Sequence, residues 1–233
     1  MKIKDLIFQI ESIRFSKALE YIVENAQNST KKVFIVTINP ELIMLARNDS
    51  EYERILKSSD LALNDGVGVT IAGKIMGKSF KGRVHGADLV EKLPEAIGEK
   101  PITVGFLGGR GNVAQLAADC LKAKYPSLKV AFALEEWPEN DKNLKCDVLF
   151  VAFGSPKQEK WINDNKDKVN AKVLIGIGGA FDFISGKIQR APLLIRKIGF
   201  EWLFRLVLQP WRIKRQIVLP YFVLLVLKEK FIG

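Results

Sequence analysis

Short runs of β-branched and aliphatic residues recur along the chain, separated by longer stretches in which apolar residues return every third or fourth position. The first pattern predicts strands buried on both faces, and the second predicts amphipathic helices. Strands are expected at 32–38, 61–63, 102–107, 129–133, 148–153 and 173–177, with helices between most of them. This order implies an α/β fold built on a mostly parallel, Rossmann-like sheet with helices on both faces. No internal repeat or low-complexity segment interrupts it.

After Asp182 the pattern changes. Residues 192–231 are rich in Trp, Phe, Leu and Arg and are broken by Pro210 and Pro220, which reads as two or three short basic amphipathic helices. We therefore expect a catalytic-type α/β domain over 1–190 and a helical appendage over 191–233. Nine Lys or Arg stand against two acids between Arg190 and Gly233, so seven of the ten net positive charges belong to this tail. Such a balance points to an acidic partner: phosphate, nucleic acid or an anionic membrane surface.

With 233 residues, 48% hydrophobic and 27% charged, the chain is long enough to bury a sizeable core. Cys120 and Cys146 make no disulfide framework and are expected to be buried small apolar residues in a reducing compartment. The N-terminal MKIKDLIFQIESI carries too many charges for the core of a signal peptide, so a cytoplasmic location is expected. The longest apolar run, 217–227, contains Pro220 and falls short of the ~20 residues a membrane span needs.

Several expected strands end in polar or glycine-rich turns. At the end of the first, Thr37 and Asn39 alternate onto one face and Pro40 opens the next helix; Asn39 serves equally as an ordinary N-cap. The second ends in Asn64-Asp65-Gly66-Val67-Gly68, where Asp65 is either a turn residue or a carboxylate placed to act as a general base. The third leads into Gly108-Gly109-Arg110-Gly111-Asn112, a phosphate-binding or plain turn without the G-x-G-x-x-G spacing. In CDVLFVAFGSPKQEKW the strand stops at Gly154 and a helix opens at Pro156 with Lys157, Gln158 and Glu159, offering a helix N-terminus to an anion. The last strand runs into Gly176-Ile177-Gly178-Gly179-Ala180-Phe181-Asp182, where small residues permit close approach.

A single histidine, His85, cannot supply a zinc site, and there is no Asp-x-Asp pair to hold magnesium against a diphosphate. No metal is expected. The charge of a phosphorylated leaving group would fall to arginines, with Arg83, Arg190, Arg205, Arg212 and Arg215 the candidates.

Seven stretches in order resemble the WecG/TagA/CpsF family of bacterial glycosyltransferases: TINPE, NDGVGV, RVHGADL, FLGG, GSPKQEKWI, GIGGAFDFISGKIQRAP and GFEWLFRL. The resemblance implies inverting, metal-independent transfer of a sugar, typically N-acetylmannosamine or its uronate, from a UDP-sugar donor to a polyprenyl-diphosphate-linked acceptor at the inner leaflet. It implies Asp65 as base, with Thr37, Asn39, Arg83 and Gln158 lining the pocket and the basic appendage closing the site and touching the membrane. Gly108, Gly109, Glu159, Gly178, Asp182, Arg205, Arg212 and Arg215 complete the expected substrate-binding set. The chain departs from the family at His85 and Asn64, where Thr or a small residue and Pro are usual. It departs again over 131–146, where a family helix is expected to be shortened or lost and Trp137 to replace the aromatic near the nucleobase. His85 is expected to be a wall or capping residue rather than a second base.

Two other classes compete. One is a non-catalytic nucleotide-sugar or anionic-lipid binding protein using the same crevice. The other, nucleic-acid binding, is disfavoured because the tail interleaves its charges with large aliphatics, as at a membrane interface. A homo-oligomer is left open.

Overall fold

Six strands pair in parallel in the order β2-β1-β6-β5-β3-β4: β1 Val33–Ile38, β2 Leu61–Asn64, β3 Thr103–Gly108, β4 Lys129–Leu134, β5 Val148–Ala152 and β6 Val173–Gly176. All six coincide with the expected runs. The fold comes from a computed structural model that describes residues 2–138, 144–213 and 217–231. Five strands are buried along nearly their whole length, as continuous apolar runs in a doubly covered parallel sheet require. Only β4 at one edge is half exposed. The opposite edge, β2, is covered where the Glu11 N–H donates to the Ala62 carbonyl at 2.8 Å.

Each face of the sheet carries its own apolar cluster. On one, α2 Phe15–Asn28, α6 Gly86–Ile97, α7 Val113–Lys124 and the short α9 Ala180–Ile184 enclose Ile35, Phe106, Phe150 and Phe181. On the other, α1 Ile3–Gln9, α3 Pro40–Asn48, α4 Ser50–Lys57, α5 Val67–Met76 and α8 Lys157–Asn165 enclose Phe34, Val36, Tyr52 and Leu149. Alternate residues of β1 belong to alternate clusters, the period-two geometry of a strand.

The appendage begins with α10 Leu193–Ile198 and α11 Glu201–Leu208, neither of which buries a residue fully, followed by a 3-10 turn at Pro210–Arg212. Its last helix, α12 Val218–Phe231, behaves differently: Phe222, Leu225 and Val226 are buried in the second cluster. Glu229 accepts from the N–H groups of Ile3 (2.9 Å) and Lys4 (3.1 Å), satisfying first-turn donors of α1 that Lys2 leaves uncapped. Pro220 does not break the chain as expected. It is the third residue of α12, in the first turn, where a missing N–H costs no intrahelical bond.

Two further expectations are corrected. Cys120 is exposed on α7, while Cys146 is buried and its thiol is pushed up to about 12 by burial. Pro156, joined to Ser155 by a cis peptide bond, is the N-cap of α8 rather than its first residue. Across 131–146 the described residues contain no helix after β4, and 139–143 lie outside the described residues.

Candidate active site

The helix leaving β1 packs on one face and the helix leaving β6 on the other, so the sheet's topological switch point lies between these adjacent strands. Ligands of open α/β sheets bind outside the carboxyl ends of the strands at such a point. Two adjoining cavities open there. One, of about 460 Å³, is walled by polar groups from the ends of β1, β3, β5 and β6. The other, of about 380 Å³, is walled largely by apolar groups of α5, α11 and α12, among them Ile71, Trp202, Leu219 and Phe222. They share Asn39, Glu41, Asp65, Ile177, Gly179, Arg205 and Arg212.

Thr37 and Asn39 stand at the end of β1. Thr37 is buried and its hydroxyl donates to the Gly176 carbonyl at 3.3 Å, across the switch point. Asn39 caps α3, its Oδ1 accepting from the Leu42 N–H at 3.1 Å, and still lines both cavities. The two readings of Asn39 are thus compatible. Gly68 is required by packing: a Cβ there would lie 2.6 Å from Pro40 Cγ, so only glycine lets α5 approach α3 behind Asp65.

Asp65 follows β2, fixed by its N–H donating to the Ile38 carbonyl at 2.8 Å. Its Oδ1 lies 2.5 Å from His85 Nδ1. Burial works against the imidazolium, yet the charge and hydrogen bond of Asp65, with Asp88 and Glu201 behind them, outweigh it and raise the His85 pKa. Asn64 holds this arrangement. Its carbonyl accepts from the Val84 N–H at 2.7 Å, and its Nδ2 donates to Thr70 Oγ1 (2.9 Å) and the Gly82 carbonyl (3.1 Å).

Gln158 lines the polar cavity and is orientated by its surroundings: Oε1 accepts from the Gly178 N–H (2.9 Å) and Nε2 donates to Glu159 Oε1 (2.7 Å). Glu159 itself is fully buried and outside the cavity walls, which corrects its expected role as a substrate contact. It accepts from Tyr52 Oη (3.0 Å) and Ser155 Oγ (2.8 Å) as well as from Gln158. Burial raises its pKa, and those three donors only partly offset the shift. A single carboxyl thus ties α4 and the β5–α8 turn to the Gln158–Gly178 contact.

Gly109 lines the polar cavity; its φ is +81° and a Cβ there would lie 2.2 Å from Val113 Cγ2, so the turn after β3 accepts nothing larger. Gly108 stands one residue back, against Ala152, and does not line either cavity. Gly178 and Asp182 are on the polar wall.

The expected arginines divide. Arg205 and Arg212 line both cavities; Arg205 Nε and Arg212 Nη1 each donate to Gln209 Oε1 at 3.2 Å, and the Arg205 guanidinium lies 4.6 Å from the Phe183 ring centroid. Arg83 lines the apolar cavity, but its Nη2 donates to the carbonyls of Arg196 (3.2 Å) and Lys197 (2.6 Å), so it caps α10. Arg190 lines the apolar cavity and is paired with Asp88 (2.7 Å), Glu201 (3.2 Å) and Glu91 (3.4 Å). Arg215 lies outside the described residues. Trp137 packs against Phe132 and Trp161, at 5.8 and 5.7 Å between centroids, and lines neither cavity.

Sequence reasoning misses Gln209, Lys187 and Ser155, which join the polar wall. Ser155 and Lys187 lie inside the family-like motifs but have no chemical signature of their own, and Gln209 gains its role only because the chain folds back over the sheet edge. Among the described residues no three His, Cys, Asp or Glu side chains are grouped to hold a metal ion, and no helix is long and apolar enough to cross a membrane.

The model of the glycosyl transferase WecG/TagA/CpsF family matches residues 3–233. A Bacillus subtilis (strain 168) protein named N-acetylglucosaminyldiphosphoundecaprenol N-acetyl-beta-D-mannosaminyltransferase is 31% identical over 220 residues, covering 91% of this chain and 86% of its own length. Proteins of the same name from Bacillus spizizenii and Staphylococcus aureus (strain MRSA252) are 32% and 29% identical, covering 87% and 88% of this chain and 82% and 84% of theirs. With a family match along nearly its whole length and relatives about 30% identical over most of theirs, the chain belongs to the WecG/TagA/CpsF family of glycosyltransferases.

Proposed function

We propose that the protein transfers an N-acetylmannosamine-type sugar from a UDP-sugar to a polyprenyl-diphosphate-linked acceptor, with inversion and without a metal. One observation carries this reading. A polar and an apolar cavity meet at Asp65, so an anionic donor and a lipid-linked acceptor each have a chamber of suitable chemistry, with a carboxylate at the junction.

In this reading the UDP moiety occupies the polar chamber. Arg205 and Arg212 meet the diphosphate, and the Gly109 turn and Gly178 allow backbone approach. The acceptor's first isoprene units run along Ile71, Leu219, Phe222 and Val223. The acceptor hydroxyl attacks the anomeric carbon from the side opposite the diphosphate. The bond from that carbon to the phosphate oxygen breaks, its electron pair leaves with UDP, and the hydroxyl proton passes to the Asp65 side of the junction.

The appendage suits a peripheral position on an anionic inner leaflet. Leu193, Leu194, Val207, Trp211, Ile217 and Leu224 are all more than 60% exposed, interleaved with Arg and Lys. The relatives' names give the acceptor as a diphosphoundecaprenol-linked sugar, which is in keeping with a membrane-borne substrate.

A panel of UDP-sugars mixed with a short-chain polyprenyl-diphosphate-N-acetylglucosamine tests the reading. UDP release is expected only when donor and acceptor are both present, and to persist in EDTA. Binding of UDP without turnover across the panel would leave a non-catalytic binding protein, and magnesium-dependent activity would remove the metal-free mechanism.

A further inference from the structure

Resting on the transferase reading, we infer that the general base is a dyad: Asp65 orientates His85, and His85 Nε2 takes the proton of the acceptor hydroxyl. Three observations bear on the assignment. First, the Asp65 Oδ1 to His85 Nδ1 contact at 2.5 Å uses one ring nitrogen, which fixes the neutral tautomer as Nδ1–H with a lone pair on Nε2. Second, Nε2 has no partner among the described residues and is not among the buried unpartnered atoms, while His85 lines the apolar chamber where the acceptor enters. Third, the segment carrying His85 is held in place by Asn64 through the Val84 N–H and the Gly82 carbonyl. Asn64 and His85 are thus parts of one device.

The step balances. Attack forms the bond from the acceptor oxygen to the anomeric carbon, UDP departs with the electron pair, and the proton moves from that oxygen to Nε2. The resulting imidazolium lies against the Asp65 carboxylate, which stabilises it without itself becoming protonated. The proton is then released to solvent through the open chamber.

The charged surroundings decide the direction of the pH dependence. Asp88 on α6 and Glu201 on α11 also favour the imidazolium, though Arg190 pairs with both and Arg196 with Asp88. Arg83, Arg205, Arg212 and Glu41 share the chamber, and the N-terminus of α6, whose N-cap is His85, opposes the positive charge. The balance raises the pKa of His85 above its ordinary value, so Nε2 is a stronger base than free imidazole. Activity is therefore full above the raised value and is lost as pH falls through it.

His85→Asn in the full chain separates a base from a spacer, since asparagine keeps an N–H for Asp65 but has nothing at Nε2. With UDP-N-acetylmannosamine and the short-chain acceptor, kcat should fall about 10²-fold or more with KM little changed. The acid limb of the pH profile should move down to the carboxylate range. A kcat within about threefold of wild type with an unmoved acid limb would return the role of base to Asp65 alone. His85 is the only histidine, so ¹⁵N-histidine labelling gives one imidazole signal. It should report the Nδ1–H tautomer at high pH and a pKa that drops in Asp65→Asn; an Nε2–H tautomer overturns the dyad irrespective of activity. If the wild type moves no sugar from any donor, the transferase reading falls and the assignment of a base with it, even where the spectrum shows the pair intact.

Discussion

Asp65 is fixed by a backbone hydrogen bond to β1 and a side-chain contact to His85, so its variants report on chemistry rather than on folding. Asp65→Asn preserves shape and should lower kcat by about 10² to 10⁴ while leaving UDP affinity near wild type, as measured by turnover and by calorimetric titration. Near-normal turnover in the folded variant would exclude this side of the junction as the proton acceptor. The residues legible in the sequence are those at strand ends, since a buried run followed by polar or glycine residues announces a sheet edge whatever the tertiary structure. Thr37, Asn39, Asp65, Gln158 and Gly178 are all of this kind. Glu159 is not legible, because adjacency to Gln158 says nothing about direction: one side chain faces the cavity and the next faces Tyr52.

Between elements, the α10–α11 part of the appendage is held to the sheet domain by charge. Arg190 bridges α6 and α11 through Asp88, Glu91 and Glu201, Arg196 adds a second contact to Asp88, and Arg83 caps α10. Arg190 is 12% exposed, so the pairing is only partly screened by solvent. Arg190→Ala should destabilise the protein by about 1.5 to 3 kcal/mol and make the segment around α10 and α11 more sensitive to limited proteolysis. Turnover should fall with it, because Arg205 and Arg212 are carried by the same segment. An unchanged melting temperature and digestion pattern would show that the latch is redundant. Strand positions can be read from periodicity, but this latch cannot: an arginine whose carboxylate partners include two on a helix about a hundred residues earlier in the chain looks like any surface charge.

At the scale of the whole molecule, the tail divides between two tasks. α10, α11 and the 3-10 turn present apolar groups and Lys197 outward, whereas α12 places Phe222, Leu225 and Val226 in the second core cluster. Each of those three side chains contributes about 1.5 to 3 kcal/mol by burial, so removing 218–233 should lower the melting temperature sharply. The sequence suggests instead that the whole tail hangs on a self-sufficient sheet, because α12 has no polar stripe to show which side docks. Attachment to anionic vesicles is better tested in the full chain: each basic residue near the leaflet is worth about 1 kcal/mol, so replacing the exposed Lys197 and Lys230 and adding salt should each release protein into the supernatant. Vesicle binding insensitive to both would assign the attachment to the apolar groups.

The contact of Glu229 with Ile3 and Lys4 joins residues 226 apart in sequence. During synthesis the apolar sides of α1, α3 and α5 therefore have no final cover until α12 leaves the ribosome. At about 5 to 20 residues per second this is an interval of about 10 to 45 s. Over its last part, the 55 residues from Gly176 to Phe231 or about 3 to 11 s at the same rate, the nascent chain has all six strands and an open groove, a substrate for holding chaperones. Slowing translation ahead of codon 218 should accordingly raise chaperone association and aggregation without altering the stability of the completed protein.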